Sequence, residues 1–293
     1  EYHQIDTWVF LRTWLQTKPV YVKWGRSMKK KRFSVGSLLR WIAMIICIIV
    51  IICSSIYLIR IALESYQISQ SSKNVSAQYV SEIDSGVSNG EISSDGEETV
   101  TAPAYTVDFA SLQAASPYAI AWIQVSGLDV INYPVMRYQD DSYFLNHSWD
   151  GQDSRYGAIF LEAKNAADLS DDYLLIYGHN MKDGSMFGGL KKYTDASFYE
   201  ENGGTVTVYL PTETRTYQIF SVRYVNPDDA DTYTLWSWQD SSFAGALDRM
   251  KNQSIYDTGV DIAEGDNILT LSTCSGEDRL VVHAKLVSSV PVS

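Results

Sequence analysis

Hydrophobic and polar positions divide the chain into three textures. The first is an unbroken apolar run, WIAMIICIIVIICSSIYLI at 41–59, whose only polar members are Ser54 and Ser55. At 1.5 Å per residue a helix of that length nearly spans a hydrocarbon core of roughly 30 Å. The pattern predicts one transmembrane helix, an anchor over 41–60. The second texture, 61–104, is rich in Ser, Glu and Gly and poor in large apolar residues. Such a segment cannot offset its ordering entropy by burial, so it reads as a disordered extracellular stalk. The third begins near Tyr105 and consists of short apolar or alternating segments bounded by turn residues: AIAWIQV, INYPVM, GAIFLE, YLLIYG, TVTVYL, TYQIFSVRYV, NILTLST and RLVVHAKLV. Eight strand candidates rich in Val, Ile, Tyr and Thr predict a mostly β domain over 105–293, a barrel or sandwich.

Helical periodicity interrupts these strands at three places. Asp108 can cap a short helix over DFASLQAAS. A loose helix covers MFGGLKKYTDASFYEE. In SSFAGALDRMKNQ, Ser241 or Ser242 can cap, and Phe243, Ala246, Leu247 and Met250 fall on one face.

Charge sets the orientation. The net charge of −12 hides an asymmetry, because ten of the 23 Lys and Arg residues lie in 1–60 against only Glu1 and Asp6. Beyond position 60 stand 13 basic and 33 acidic residues, a net of −20. So acidic a surface lacks the basic footprint that nucleic acid requires. Lys29, Lys30, Lys31, Arg32 and Arg40 precede the apolar run, whereas Arg60 and Lys73 are the only basic residues soon after it. The positive-inside rule then predicts a cytoplasmic segment at 28–40 and an extracellular domain. A cleaved signal peptide is the rival, but its apolar region is shorter and no small-x-small cleavage site follows here. Residues 1–27 differ in character from the rest, and Met28 with its basic followers reads as a natural start. The expectation is that 1–27 is an upstream or non-native segment.

Candidate chemistry centres on Cys274. Cys47 and Cys53 lie in the apolar run, which leaves Cys274 as the only cysteine outside it. An external thiol without a partner is a liability unless it is buried or used. A buried inert cysteine is one reading and a nucleophile is the other. The strand NILTLST ends at Cys274, and a four-residue turn leads to Arg279, so an antiparallel pair would set the two side by side. A guanidinium fork suits a developing oxyanion; a surface ion pair with Glu277 or Asp278 is the plain alternative. A cysteine nucleophile needs a base. His3 precedes the anchor, and His147 in FLNHSWDG reads as a surface residue. His283 falls mid-strand, on one face with Arg279, Val281 and Lys285. His179 ends YLLIYGHN, where a strand opens into a loop, and such ends present functional groups. Geometry favours His179 over His283 without excluding the latter.

The motifs carry a resemblance. TLSTC followed by RLVVHAKL, with YGHNMKDGSMFGGLKKY, resembles the sortase family of cell-surface transpeptidases of Gram-positive bacteria. WIQVSGLDVINYPVM, SYFLNHSWDG, SRYGAIFLE and the helix SSFAGALDRMKNQ resemble its class B. The resemblance extends over about Asp108 to Val287. It implies a closed eight-stranded barrel with an N-terminal helix and inserted helices, behind one transmembrane helix. By motif it makes Cys274 the nucleophile, His179 the general acid and base, and Arg279 the oxyanion-stabilising residue. It places Leu145, Tyr233 and Thr234 at the groove for the substrate, and Ser272 behind the nucleophile. The four residues between Cys274 and Arg279 are a departure, since many class B members have a longer loop there.

The implied reaction cleaves a C-terminal sorting motif after Thr in a secreted protein, often of Asn-Pro-x-Thr type. It proceeds through a thioacyl enzyme, then joins the protein to an amine of a peptidoglycan precursor or a pilin. It needs no metal or organic cofactor, and no nucleic acid takes part. The membrane partner is the segment 41–59, with the catalytic domain outside the cell. A non-catalytic anchored β-domain, an adhesin or pilus scaffold, is the alternative; it gives no use for a free thiol beside a strand-end histidine and an arginine.

Overall fold

The computed structural model of the chain describes residues 35–82, 105–275 and 277–292. The expectations for 1–27, for most of 28–40 and for 83–104 lie outside the described residues. The chain divides into two units, 1–59 and 60–293. Helix α1 runs over Val35–Tyr79. Its portion Leu38–Leu63, with mean hydropathy 3.0, is long and apolar enough to cross a membrane. Cys47 and Cys53 are exposed on this helix, as small apolar residues facing lipid would be.

The unstructured stalk expected from residue 61 is not what the structure shows over 61–82. Helix α1 continues to Tyr79, and β1 (Val80–Glu82) pairs antiparallel with β2 (Tyr105–Val107). Burial is the reason. Val75 and Tyr79 are each only 4% exposed, and the Tyr79 ring meets Trp149 edge-on at 5.9 Å. The Tyr79 carbonyl also accepts the Asp108 amide at 2.8 Å. Two apolar anchors spaced one helical turn apart suffice to order a stretch whose average composition is polar.

Helix α2 (Phe109–Ala115) starts where the Asp108 side chain accepts the Ser111 amide at 3.0 Å, as the capping pattern predicts. The barrel strands follow in order: β3 (Ala119–Val125), β4 (Asn132–Met136), β5 (Ile159–Leu161), β6 (Tyr173–Tyr177), β7 (Thr205–Tyr209), β8 (Glu213–Val225), β9 (Ile268–Ser275) and β10 (Asp278–Pro291). They close as β10-β8-β7-β3-β4-β5-β6-β9. The pairs β4–β5 and β6–β9 are parallel; the remaining neighbours are antiparallel. All eight sequence-derived strands are present and the sheet has no open edge.

Period-two alternation explains the two buried layers. Leu174 and Ile176, Leu269 and Leu271, and Leu280 and Val282 join the larger cluster that fills the barrel. Tyr173, Leu175, Ile268 and Phe220 belong to a second cluster, completed by α5 (Phe243–Asn252). The predicted face of that helix is the buried one: Phe243, Ala246 and Met250 are fully buried and Leu247 is 2% exposed. The loose helix expected at 186–201 is instead a 3-10 turn, Gly188–Thr194, followed by α3 (Ala196–Asn202). The break falls at Asp195, whose side chain accepts the Ser197 amide at 3.0 Å and starts a new helix. A further turn, α4 (Ala230–Tyr233), is capped by Asp229.

Candidate active site

Three neighbouring strands, β6, β9 and β10, bring the candidate residues to one end of the sheet. In the parallel pair β6–β9, Leu175 lies beside Thr270 and Tyr177 beside Ser272. In the antiparallel pair β9–β10, Thr270 faces His283, Ser272 faces Val281 and Cys274 faces Arg279. The Gly178 amide donates to the Ser272 carbonyl at 3.2 Å, and His179 follows it just past the end of β6. The rows are therefore 175–270–283 and 177–272–281, and β9–β10 carries its pairing on to 274–279. Directly opposed Cα atoms in such a ladder lie about 5 Å apart.

The strand β9 is longer than expected. It runs through Cys274 to Ser275, which pairs with Asp278. The connection to β10 therefore narrows to two residues. Tight closure holds Arg279 in register with Cys274 despite the short loop.

His179 is half-buried, and its Nε2 lies 2.8 Å from the Leu145 carbonyl oxygen. A carbonyl can only accept, so Nε2 carries a proton and Nδ1 is the other, basic nitrogen of the neutral ring. Leu145 follows Phe144 in a short 3-10 turn, Tyr143–Leu145. Phe144 is fully buried; Asp140 Oδ1 accepts the Ser142 and Tyr143 amides at 2.8 and 2.9 Å. The turn is thus pinned at both ends, and the carbonyl that orients the imidazole is a fixed point. Behind it Gly157, with φ +59°, leaves no room for a Cβ: one would stand 2.3 Å from the Phe144 oxygen and 3.1 Å from His179 Cδ2.

A cavity of about 340 Å³ opens at this end of the sheet, lined by Leu145, Tyr177, His179, Ser272 and Arg279 among others. Leu145 is 39% exposed at its rim. Arg279 donates from Nη1 to the Asp278 carbonyl at 3.1 Å, and among the described residues it forms no ion pair. Ser272 is buried, with its Oγ 2.9 Å from the Tyr233 hydroxyl. Tyr233 therefore reaches the site through Ser272. Thr234, which ends α4, is exposed and does not line the cavity.

Two residues of the cavity carry chemistry that sequence reasoning missed. Tyr177 donates its hydroxyl to Glu162 Oε2 at 2.9 Å. Asp141 lines the cavity, and burial pushes its carboxyl up to about 6, with the Glu162 carboxylate adding to the effect. Alternation along YLLIYGH places Tyr177 on the face of position 179 and could have found it. Asp141 carried no such signal, because its neighbour Glu162 comes from another strand.

The remaining histidines are occupied elsewhere. His147 is half-buried rather than a free surface residue; its ring stacks on Tyr143 at 3.9 Å and its Nδ1 lies 2.7 Å from the Tyr143 carbonyl. His283 is fully buried in a polar network away from the cavity.

A histidine just past β6 and an arginine on β10 open on one cavity, and a cysteine position on β9 is paired with that arginine; the arrangement is suited to acyl transfer through a thioester. Comparison with known proteins gives this class its family. Residues 123–287 match the Sortase domain family. Sortase B of Listeria monocytogenes is 32% identical over 192 residues, covering 60% of this chain and 73% of the relative. The crystal structure of sortase B from Bacillus anthracis in complex with AAEK1 is 34% identical, with a TM-score of 0.55 over 61% of this chain and 84% of that one. The Staphylococcus aureus sortase B–substrate complex is 28% identical, with a TM-score of 0.58 over 63% of this chain and 85% of that one. The chain belongs to the sortase family, class B, and is a cysteine transpeptidase. The family acts on substrates with a sorting signal and on amine nucleophiles.

Proposed function

We propose that Cys274, His179 and Arg279 carry the transpeptidation, and that the chain acts at the outer face of a membrane in which residues 41–59 anchor it. The observation that carries this reading is the pairing of Cys274 with Arg279 across β9 and β10, beside a cavity that His179 and Arg279 both line. His179 Nδ1 takes the Cys274 thiol proton, and the thiolate Sγ attacks the carbonyl carbon of the sorting-motif threonine. Arg279 stabilises the resulting oxyanion with a guanidinium that cannot lose its proton. His179 is held through Nε2 by Leu145, so Nδ1 is the nitrogen that exchanges protons. It protonates the departing amine as the C–N bond breaks, leaving a thioester on Cys274. An incoming amine then attacks that thioester, His179 takes its proton, and the thiolate leaves.

The first substrate is a secreted protein with a C-terminal sorting signal of Asn-Pro-x-Thr type; the second is an amine of a peptidoglycan precursor or a pilin. Leu145 and Ser272 stand at the cavity where the motif would lie, and Tyr233 and Thr234 flank it. Both substrates reach the outer leaflet, which fits an N-terminus in the cytoplasm and a catalytic unit outside. The test uses the full chain in detergent with a panel of threonine-containing sorting peptides and no acceptor. Intact mass spectrometry should show an acyl adduct on Cys274, released by added amine and absent in Cys274→Ala. A Cys274→Ala chain that still cleaves the peptide would remove the nucleophile assignment.

A further inference from the structure

One polar cluster lies apart from the candidate catalytic residues, and no step of the acyl transfer uses it. Arg223 on β8 is 2% exposed, yet it spends its donors on four partners. Its Nε donates to His283 Nε2 at 3.2 Å, and Nη1 donates to Gln253 Oε1. Its Nη2 reaches Asp229 Oδ2 at 2.8 Å and Thr232 Oγ1 at 2.7 Å. The direction of every further bond then follows. Because His283 Nε2 accepts, its Nδ1 carries the proton and donates to Thr270 Oγ1 at 2.8 Å. Thr270 Oγ1 donates to the Tyr173 hydroxyl at 2.9 Å, and that hydroxyl donates to the Thr232 carbonyl at 2.8 Å. Thr232 Oγ1 passes its own proton to Asp229 Oδ2 at 2.7 Å.

The circuit is closed: it leaves Arg223 by two routes, and both end on Thr232, one at its hydroxyl and one at its carbonyl. Burial and the Arg223 charge hold His283 well below the usual imidazole range, which keeps it in the neutral form that this direction of bonding needs. A buried network in which each donor has an acceptor permits one arrangement of its members.

We propose that this circuit is a positioning device for the substrate groove: by gripping Thr232 from both sides, Arg223 holds the adjacent Tyr233 against Ser272 as a wall of the site. The proposal rests on the acyl-transfer reading above. Tyr233 follows Thr232 directly, and its hydroxyl meets Ser272 Oγ at 2.9 Å. Ser272 lines the cavity together with His179 and Arg279. Thr270, at the other end of the circuit, stands two residues before Ser272 on the same strand. The wall is therefore tied to β9 twice, once at Thr270 within the buried network and once at Ser272 beside the cavity. Among the described residues Arg223 hydrogen-bonds to none that lines the cavity, so it acts on binding through Thr232 and not on the reacting atoms.

The test is Thr232→Val beside Thr232→Ser in the full chain in detergent. Valine keeps the shape and removes the hydroxyl; serine restores it. With an Asn-Pro-x-Thr-type peptide, Thr232→Val should raise KM for acylation about tenfold, with kcat and the rate of Cys274 alkylation by iodoacetamide within about twofold of wild type. Hydrogen exchange at amides 230–238 should accelerate about tenfold in the same variant, and Thr232→Ser should restore both readouts. Unchanged exchange in Thr232→Val overturns the proposal, as does a Thr232→Ser variant no better than valine or a loss confined to kcat. A wild-type chain that accepts no sorting peptide would instead overturn the acyl-transfer reading, and exchange then decides the positioning role by itself.

Discussion

Gly157→Ala should disable the site without a change to any residue that touches substrate. A Cβ at this position would lie 2.3 Å from the Phe144 carbonyl oxygen, 3.0 Å from the Leu145 carbonyl oxygen and 3.1 Å from His179 Cδ2. To open the first contact even to 3.0 Å the Phe144 carbonyl must retreat by 0.7 Å, the difference of the two distances. That peptide is joined to the next, so the Leu145 carbonyl moves with it. Its bond to His179 Nε2, now 2.8 Å, then stretches toward the limit of a hydrogen bond. The imidazole loses the contact that fixes both its ring plane and its tautomer. Displacement of a reacting group on this scale costs about a hundredfold in rate.

Stability changes by a smaller factor. The left-handed φ of +59° costs an L-residue about 1–2 kcal/mol. The displaced Phe144 oxygen also weakens its bond from the Ala158 amide, now 2.9 Å, for about another 1 kcal/mol. The total of about 2–3 kcal/mol lowers the melting temperature by roughly 5–10 °C in a domain of this size, so the variant stays folded at 25 °C. Gly265→Ala is the matched control: its φ is +95° but nothing stands within 4 Å of the added Cβ. That variant pays in conformational strain only and keeps its activity. The assay is thioacyl formation in single turnover, alongside a thermal melt. A folded Gly157→Ala enzyme within about threefold of the wild-type rate would show that the Leu145 carbonyl does not position His179.

Other consequences can be checked directly. Arg279→Lys keeps the charge but loses the planar fork, so acylation should slow by about a hundredfold at an unchanged melting temperature; near-normal turnover would move oxyanion stabilisation elsewhere. Phe243→Ala empties a fully buried position packed between Trp236, Trp238 and Tyr173, and urea titration should show a loss of about 3–5 kcal/mol. The lowered pKa of His283 sets a pH dependence. Below about pH 6.5 the unfolded chain binds a proton that the fold refuses, so stability falls as pH drops, by at most about 1.4 kcal/mol per unit. Asp141, pushed up to about 6, acts with the opposite sign. The urea midpoints at pH 7.5 and 5.5 are therefore compared with those of His283→Gln, and identical pH slopes would refute a buried neutral histidine.

The strands of the barrel were legible because alternation is a local property. Val206 and Val208 on β7, or Leu269 and Leu271 on β9, announce an inward face within a few residues. The helix α5 was equally plain, with four apolar residues at helical spacing. The continuation of α1 was not, since Tyr79 orders its segment through a contact with Trp149, about seventy residues away. The site divides in the same manner. Cys274, His179 and Arg279 stood out by residue type at strand ends, yet the Leu145 carbonyl that holds His179 has no side-chain signature at all. Asp141 and Glu162 are each ordinary acidic residues until the sheet brings them together. His283 was correctly set apart as a mid-strand residue, but its partner Arg223 lies on the neighbouring strand and could not be named from the spacing.

The pairing of Cys274 with Arg279 also explains why a buried polar cluster sits below it. A slip of one residue between β9 and its neighbours would turn the alternate face outward and carry position 274 away from Arg279. Apolar rows tolerate such a slip better than polar ones, because one aliphatic contact replaces another at little cost. Thr270 and His283 do not: they face each other in the ladder and share a hydrogen bond at 2.8 Å. A shift would leave the buried His283 Nδ1–H without its acceptor, and an unsatisfied buried donor costs about 1–3 kcal/mol. The polar pair therefore fixes the register at row 175–270–283, two rows short of the pair 274–279. Backbone geometry transmits that register along β9 to Cys274. Placing the pin four residues from Cys274 keeps the buried network out of the cavity while its alignment reaches that end of the strand.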